Sequence, residues 1–338
     1  MTISVCFYDA SRNPQIRLIF DKNSAMIPSQ EDIKKAAKRV KPYVHQTPVL
    51  TSRLVNEKVG ADVFFKCENF QRMGAFKMRG AVNAILQLSD DKRAKGVITH
   101  SSGNFAQALA LASATLNTKA YVVMPENAPD VKVNAVRSYG AEVIMSKSGV
   151  MDRENVCDEM KDKTGATFLH PSNDINVILG QGTAAYELIN ETNDLDAIIA
   201  PVGGGGLLAG TSLATHYLLP ESETIGGEPF GADDAYLSLK MGKIQPSIKP
   251  NTIADGLKTQ LGDVNFPIIR KFVSNIIRVE EVEIIEAMRF IWERMKIVIE
   301  PSSAVAVAAL FRNHNKFHKK RIGIIISGGN VDVDQLPF

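Results

Sequence analysis

The sequence is poor in cysteine, with only three among its 338 residues: Cys6, Cys67 and Cys157. An odd and widely spaced set provides neither a disulfide framework nor the paired spacing of a zinc site. It indicates a reducing compartment, and we expect the protein to be cytoplasmic.

Long apolar runs and a charge excess are also missing. No apolar stretch reaches the length that spans a bilayer, so we expect no membrane partner. The formal net charge is only +2, and the basic residues do not gather in one block. This balance gives no support to a nucleic-acid partner.

Residues 1–25 lack the long apolar core and the small-residue cleavage site of a secretory signal. Asp9 and Asp21 within them give little support to a transit peptide. We treat this segment as an extension. The organised chain begins near Met26, and Ser29 to Asp32 resembles a capping box at the start of an amphipathic helix.

Short apolar runs alternate with helical patterns through most of the chain. This alternation is typical of α/β architecture, in which helices cover both faces of parallel sheets. The chain exceeds a typical single core, so we expect two doubly wound domains. The predicted strands lie at 63–70, 96–99, 120–124, 141–145, 166–169, 195–202, 276–279 and 321–326, and a long helical region is predicted at 281–311.

Lys77 stands between Phe76 and Met78 in the stretch from Gly74 to Gly80. A buried lysine loses hydration, and its pKa falls toward the range in which a neutral amine attacks a carbonyl. A Schiff-base lysine needs this property. Taken alone, one lysine is more simply interpreted as an exposed residue opening a surface helix.

Four consecutive glycines, at 203–206, lie between an apolar strand and a helical pattern. Glycines let backbone N–H groups close around an anion, and the helix N-terminus adds favourable partial charge. The loop predicts a phosphate site. A dinucleotide site is the alternative: Glu228 would be its ribose-binding acid, and its last glycine position would fall on Leu208 or Ala209.

Two further loops follow predicted strands. The first, at 100–107, offers small hydroxyls and amides at a helix N-terminus, which suits a carboxylate. The second runs from Ile326 to Asn330. Ordinary turn chemistry would explain either loop in isolation.

Together and in this order, the motifs resemble the fold-type II pyridoxal phosphate (PLP) enzymes, whose fold is that of the tryptophan synthase β subunit. The motifs are Gly-Ala-Phe-Lys ending at Lys77, Ser-Ser-Gly-Asn at 101–104, the four glycines and Ser-Gly-Gly-Asn at 327–330. The segments 228–234, 252–256 and 300–303 are similar to the eukaryotic serine racemase and serine/threonine dehydratase branch. The resemblance runs from about Met26 to the C-terminus, and the extension departs from it.

The resemblance implies a role for each matching residue. Lys77 would anchor the cofactor as a Schiff base and remove the substrate α-proton, and Ser102 would return a proton from the opposite face. The other implied cofactor contacts are Phe76 and Gly256 beside the ring, Asn104 on its phenolic oxygen, and Gly203, Gly204, Gly205, Gly206 and Leu207 around the phosphate.

Ser327 would face the pyridine nitrogen. A hydroxyl does not keep that nitrogen protonated as a carboxylate does, so the ring becomes a weaker electron sink. The resemblance therefore implies elimination chemistry more than transamination.

The substrate carboxylate would lie in the loop that contains Ser101, Ser102, Asn104, Phe105 and Gln107. The family usually has histidine at the position of Phe105, so this chain departs from its pattern there. The departure bears on substrate polarity and on loop closure.

Glu228, Asp234 and the carbonyl of Ala232 match the branch's divalent-cation site. Such hard oxygen ligands suit Mg²⁺ or Ca²⁺. The resemblance also implies a homodimer, a large PLP-binding domain at 26–89 and 172–338, and a small domain at 90–171 that closes on substrate.

The predicted function is that of a serine racemase with serine/threonine dehydratase activity, acting on small β-hydroxy amino acids. The main alternative is an L-threo-3-hydroxyaspartate or threonine ammonia-lyase without racemase activity. A β-replacement enzyme such as a cysteine synthase is disfavoured by the segment 228–234. A nicotinamide-dependent or non-catalytic binding protein is the remaining class.

Overall fold

The computed structural model describes residues 27–128, 130–147 and 149–338, so the predicted extension at 1–25 lies outside the described residues. Strands and helices alternate through this part of the chain. The strands are β1 (Val49–Thr51), β2 (Asp62–Cys67), β3 (Val97–His100), β4 (Ala120–Pro125), β5 (Glu142–Ser146), β6 (Thr167–Phe168), β7 (Ala197–Pro201), β8 (Glu223–Pro229), β9 (Asn275–Val279) and β10 (Arg321–Ile326).

The helices mostly connect one strand to the next, as the predicted alternation requires. They are α1 (Gln30–Val40), α2 (Arg53–Val59), α3 (Lys77–Leu86), α4 (Asp90–Lys95), α5 (Asn104–Thr115), α6 (Asp130–Ser138), α7 (Val150–Thr164), α8 (Ile175–Thr192), α9 (Gly206–Leu218), α10 (Asp234–Met241), α11 (Phe266–Phe272), α12 (Glu281–Met295), α13 (Pro301–Arg312) and α14 (His314–Phe317). None of the described helices is both long and apolar enough to cross a membrane.

The strands form two sheets. The larger has the order β1-β2-β10-β7-β8-β9, and the smaller has the order β5-β4-β3-β6. Every pairing is parallel except that of β1 with β2. The α/β prediction is confirmed. In both sheets, loops that leave the carboxyl ends of parallel strands meet at one edge, where ligands bind in such folds.

The predicted capping box opens α1. Asp32 N donates to the Ser29 side chain, and Ser29 N donates to the Asp32 carboxylate at 2.8 Å. These bonds satisfy two N–H groups that would otherwise lack partners at the helix start. Ile33 and Val40 then lie buried on one face, so α1 packs against the core as its periodicity predicts.

The prediction of one long helical region at 281–311 is wrong in one respect. Lys296 has a φ of +59° and ends α12 in the left-handed conformation, and a new helix begins at Pro301. Proline at the first position of a helix is favourable because its missing N–H would have no partner there. The break places Glu300 at the N-cap of α13, beside the site.

A buried network of charges fixes α3 to the large sheet. Arg79 donates to Glu68 and to Glu187, each at 2.7 Å, and Lys66 also reaches Glu187 at 2.7 Å. Arg79, Glu68 and Lys66 are fully buried, so an unpaired charge at any of them would be strongly unfavourable. The network holds α3 against β2 and α8, only two residues from Lys77.

Candidate active site

Lys77 is the first residue of α3, directly after the bridge between Ala75 and Gly328. Its Nζ donates to the carbonyl of Pro171 at 2.9 Å and lies 5.0 Å from the ring centre of Phe76 and 5.8 Å from that of Phe105. This enclosure removes the amino group from bulk water and lowers its pKa to about 8. The charge of Glu300 acts in the opposite direction and raises the pKa, but by less. The neutral amine required of a nucleophile or base is therefore accessible near neutral pH.

Asn104 joins the two loops that the sequence singled out after strands β3 and β10. Its Nδ2 donates to both carboxylate oxygens of Glu300 at 3.1 Å, and its Oδ1 accepts from Asn330 Nδ2 at 2.9 Å. Asn330 Nδ2 also donates to the carbonyl of Met73, close to Lys77 in sequence. The structure thus brings Asn104 and the 326–330 loop to the same place as the lysine.

Glu300 is a site residue to which the sequence assigned no role. It is buried with 4% of its surface exposed, and burial raises its pKa to about 7, while the hydrogen bonds from Asn104 oppose that rise. The segment 300–303 indicates only a resemblance to the serine racemase and dehydratase branch. Its contact with Asn104 joins residues 196 positions apart, which no local pattern reveals.

The raised pKa of Glu300 predicts a pH dependence of stability. A carboxyl whose pKa is higher in the folded state than in the unfolded state contributes stability that is complete below pH 4.5 and is lost as the pH rises to about 7. We expect the stability of the wild type relative to Glu300→Gln to fall by up to about 3 kcal/mol across this window, since one pKa unit corresponds to about 1.4 kcal/mol. Melting temperatures of both proteins against pH measure the difference, and Glu31→Gln, at an exposed position, is the control. Parallel curves would contradict the assignment.

The glycine loop has the conformation of an anion cradle. Gly205 has a φ of +81°, and a Cβ at Gly204 would lie 2.4 Å from Ser172 Oγ. A Cβ at Gly203 would lie 2.6 Å from the Cα of Leu257, so side chains are excluded by close neighbours. Among the described residues, no acceptor is found for the backbone N–H groups of Gly203 through Leu207. These free donors at the start of α9 fit a phosphate group.

Asn265 holds the cradle in shape, a role that no local motif predicts. Its Nδ2 donates to the carbonyls of Gly204 at 2.8 Å and Ser172 at 3.0 Å, and its side chain is fully buried. An asparagine before a short helix looks like any other loop residue. Only the folded chain shows that it links two loops around the cradle.

Gly256 and Ser327 both lie within hydrogen-bond distance of serines in the first turn of α13, Gly256 of Ser302 and Ser327 of Ser303. Gly256 N donates to Ser302 Oγ at 3.1 Å, and the Ser327 carbonyl accepts from Phe76 N at 2.9 Å. Ser327 is 2% exposed and follows β10 directly. Both residues therefore lie next to segments that carry Phe76, Lys77 and Glu300.

The loop predicted to hold a carboxylate connects β3 to α5. Ser101, Ser102 and Gln107 are half-buried, and Phe105 is buried at 2% exposure beside Lys77. In the part of the chain that the structure describes, the Ser102 and Gln107 side chains have no hydrogen-bond partner. Their hydroxyl and amide groups therefore remain available to a ligand.

The acidic pair predicted to bind a cation lies at the end of β8. Both carboxylate oxygens of Glu228 accept backbone N–H groups, from Ala235 at 2.9 Å and Tyr236 at 2.8 Å. Both carboxylate oxygens of Asp234 are buried without a hydrogen-bond partner among the described residues. Burial raises the pKa of Asp234 to about 6 and that of Glu228 well above its usual value. A buried carboxylate without a partner fits a bound cation.

The surroundings of Glu228 and Asp234 bear on the predicted cation site and on the dinucleotide alternative. No group of three or more His, Cys, Asp or Glu side chains that could hold a metal is found in the described ranges, so the candidate site has two carboxylates and the Ala232 carbonyl. Glu228 accepts two backbone N–H groups, one on each carboxylate oxygen. Each oxygen keeps a second lone pair that a cation can use, so these bonds alone do not decide against the ribose of the dinucleotide alternative.

Comparisons with known proteins agree with these features. A profile of the family described as "Pyridoxal-phosphate dependent enzyme" matches residues 40–328. The chain is 50% identical to the serine racemase of Dictyostelium discoideum over 90% of this chain and 96% of that protein. It is 46% identical to the β-hydroxyaspartate dehydratase of Paracoccus denitrificans over 92% of this chain and 99% of that protein. The structure of maize serine racemase superposes with a TM-score of 0.89 at 43% identity, covering 91% of this chain and 95% of that one.

Proposed function

The chain belongs to the pyridoxal-phosphate dependent enzymes, and from this premise we propose that it is a serine racemase that also dehydrates serine and threonine. The observation that carries the proposal is its 50% identity, over nearly the whole of both chains, to a protein named serine racemase. The fold is that of fold-type II enzymes, and the cofactor is PLP.

The described residues fit PLP at several points. The free N–H groups of 203–207 would hold its phosphate, Lys77 would bind its aldehyde carbon, and Phe76 and Gly256 would lie against its ring. Asn104 would donate to the phenolic oxygen, and Ser327 would meet the ring nitrogen. Bound PLP supplies an electron sink that stabilises negative charge on the substrate Cα.

The side chains of the site would divide the proton transfers between two faces. Lys77, with its lowered pKa, would remove the α-proton from one face as a neutral amine. Ser102, with a hydroxyl free of described partners, would return a proton on the other face. If the β-hydroxyl takes up a proton and leaves as water in place of that return, the product is an enamine. The enamine takes up a proton to give an imine, and hydrolysis of the imine yields pyruvate or 2-oxobutyrate with ammonia.

The loop after β3 would hold the substrate carboxylate through Ser101, Asn104 and Gln107. Phe105 places an apolar ring beside Lys77, where a polar side chain would draw water to the amine. Because the loop belongs to the segment 90–171 that carries the smaller sheet, closure of that segment would complete the site and exclude water. The homodimer, the domain boundaries and the cytoplasmic location are part of the same proposal.

The second candidate is an ammonia-lyase acting on threo-3-hydroxyaspartate or threonine. The similarity to a β-hydroxyaspartate dehydratase at 46% identity favours it. The test is product analysis with the L- and D-forms of serine, threonine and 3-hydroxyaspartate, following each enantiomer and each 2-oxo acid separately. D-serine from L-serine supports the racemase. Oxo acid without any D-serine would leave only the lyase.

We further propose that Glu228, Asp234 and the Ala232 carbonyl bind Mg²⁺ or Ca²⁺ to stabilise the large domain. The buried and unpartnered Asp234 carboxylate supports this site. A cation that binds only the folded state raises its stability with concentration, by about 2.7 kcal/mol at one hundred times the dissociation constant. We therefore expect the melting temperature to rise with added Mg²⁺ and to fall with EDTA.

The matched variant for this test is Asp234→Asn, which keeps the shape of the side chain and removes its charge. It should melt at the same temperature with and without Mg²⁺. A wild-type melting temperature that responds to neither Mg²⁺ nor EDTA would rule out the cation site.

A further inference from the structure

The chain leaves the smaller sheet after β6 and reaches α8 through a short turn at 170–173. Two parts of the candidate site lie against this turn. The Pro171 carbonyl accepts from Lys77 Nζ at 2.9 Å. Ser172 packs against the phosphate cradle, since a Cβ at Gly204 would lie only 2.4 Å from its Oγ. The position of the turn therefore affects both the amine and the loop that would hold the phosphate.

His170 holds the turn through one ring nitrogen. Its Nδ1 accepts from Ser172 N at 3.1 Å and from Asn173 N at 2.8 Å. A ring nitrogen that carries a proton is a donor and has no lone pair left with which to accept. Nδ1 is therefore unprotonated, and the neutral ring carries its proton on Nε2.

The other contacts of the turn do not replace this one. Asn265 Nδ2 donates to the Ser172 carbonyl at 3.0 Å, and Asn173 Oδ1 accepts from Val264 N at 2.9 Å. Among the described residues, however, the N–H groups of Ser172 and Asn173 have no acceptor besides His170. Removing Nδ1 would leave both without a partner, which is unfavourable in the buried surroundings of Ser172.

The surroundings of the His170 ring keep it neutral. The ring stands nearly perpendicular to those of Phe168 and His100 at the end of the smaller sheet. Burial lowers the pKa of His170 to about 4, and the charges of His100 and Lys77 act in the same direction. The charge of Asp263 raises the pKa, but by less. The turn thus keeps its shape through the pH range in which an exposed histidine titrates.

We propose that His170 is a positioning residue: as a neutral acceptor it fixes the turn at 170–173, which aims the Pro171 carbonyl at the Lys77 amine and supports the phosphate cradle. The inference rests on the proposed roles of Lys77 and of the glycine loop. A carbonyl at 2.9 Å accepts an N–H of the amine only within a narrow range of directions. The lone pair that would take the α-proton is restricted as well, because the bonds and the lone pair of an amine keep fixed angles. Orientation of this kind favours proton transfer.

Two substitutions separate the acceptor from the ring. His170→Asn loses the ring but keeps an acceptor, because asparagine Oδ1 is bonded to Cγ as histidine Nδ1 is. His170→Phe keeps an aromatic ring and loses the acceptor. In equilibrium dialysis we expect His170→Phe to bind PLP about tenfold more weakly and His170→Asn to stay within about twofold of the wild type. His314→Phe, at an exposed histidine, is the control and should not change the affinity.

Activity at saturating PLP adds a second readout. His170→Phe should lose D-serine and pyruvate formation in equal proportion, because both begin with proton removal by Lys77. A shifted ratio of the two products would contradict a role through Lys77. Unchanged PLP affinity in His170→Phe would overturn the inference. So would equal losses of affinity in His170→Asn and His170→Phe, because they would assign the effect to packing of the ring.

Nitrogen NMR of the wild-type holoenzyme serves if His170→Phe does not fold. With isotope-labelled histidine, the His170 signals are those missing from the spectrum of His170→Asn. We expect an unprotonated Nδ1 and a protonated Nε2 between about pH 6 and 8, and a proton on Nδ1 in this range would overturn the inference. The dialysis and the spectra use no substrate. A product analysis without D-serine would therefore remove the racemase assignment and leave the role of His170 intact.

Discussion

Replacing Lys77 with alanine should abolish both the covalent attachment of PLP and all turnover. The structure places the amine 5.0 Å from the ring centre of Phe76 and 5.8 Å from that of Phe105. Its pKa of about 8 suits both Schiff-base formation and proton removal. With the group that serves both steps removed, we expect racemisation and elimination to fall below about one thousandth of the wild-type rate.

The measurement combines activity with borohydride reduction, which fixes the lysine–cofactor bond permanently. Lys58→Ala is a suitable control because the Lys58 ammonium also lies over two aromatic rings, Phe290 and Phe311, but on the surface. The control should retain the reducible adduct and full activity. A reducible adduct in Lys77→Ala would show that another lysine anchors the cofactor.

Replacing Ser102 with alanine should separate the two activities. Inversion needs a proton donor on the face opposite Lys77, whereas loss of the β-hydroxyl does not. We expect D-serine formation from L-serine to fall by at least about one hundredfold, while pyruvate formation from L-serine remains measurable. D-serine and pyruvate are followed separately in the same reaction.

Ser138→Ala is the matched control, since the Ser138 hydroxyl is exposed and only donates to the Ala135 carbonyl of its own helix. It should leave both products unchanged. Undiminished D-serine formation in Ser102→Ala would remove Ser102 as the second proton donor. An equal loss of both products would mean that the hydroxyl positions substrate and transfers no proton.

Much of the fold could be predicted because its signals are local. The capping residues Ser29 and Asp32 lie three positions apart, and alternating apolar runs mark strands wherever a parallel sheet is covered on both faces. The break at Lys296 escaped prediction because lysine rarely takes a positive φ and the helical periodicity continues on both sides. Pro301 was the available signal, since proline favours the first turn of a helix over its interior.

The candidate site shows the same difference between residues with a local sequence signal and residues without one. Lys77 and the four glycines are visible in sequence because their chemistry depends on their immediate neighbours. Glu300 and Asn265 carry no local signal, because each acts on a segment far away in the chain and their residue types are common in loops and caps. The pairing of Glu300 with Asn104 exists only once the 90–171 segment has folded onto the rest.

The buried charge network around Arg79 has a mechanical consequence. Within the described residues, the ion pairs that include a fully buried side chain all join α3, α8 and the end of β2, so the segment that carries Lys77 is held firmly against the large sheet. The polar contacts from the 90–171 segment to Asp255, Glu300 and Asn330 are the Asn104 amide bonds and the partly exposed Lys132–Asp255 pair at 2.8 Å. An exposed pair of this kind contributes little. In the closure proposed above, these contacts would form and break while the network around Arg79 keeps Lys77 in place.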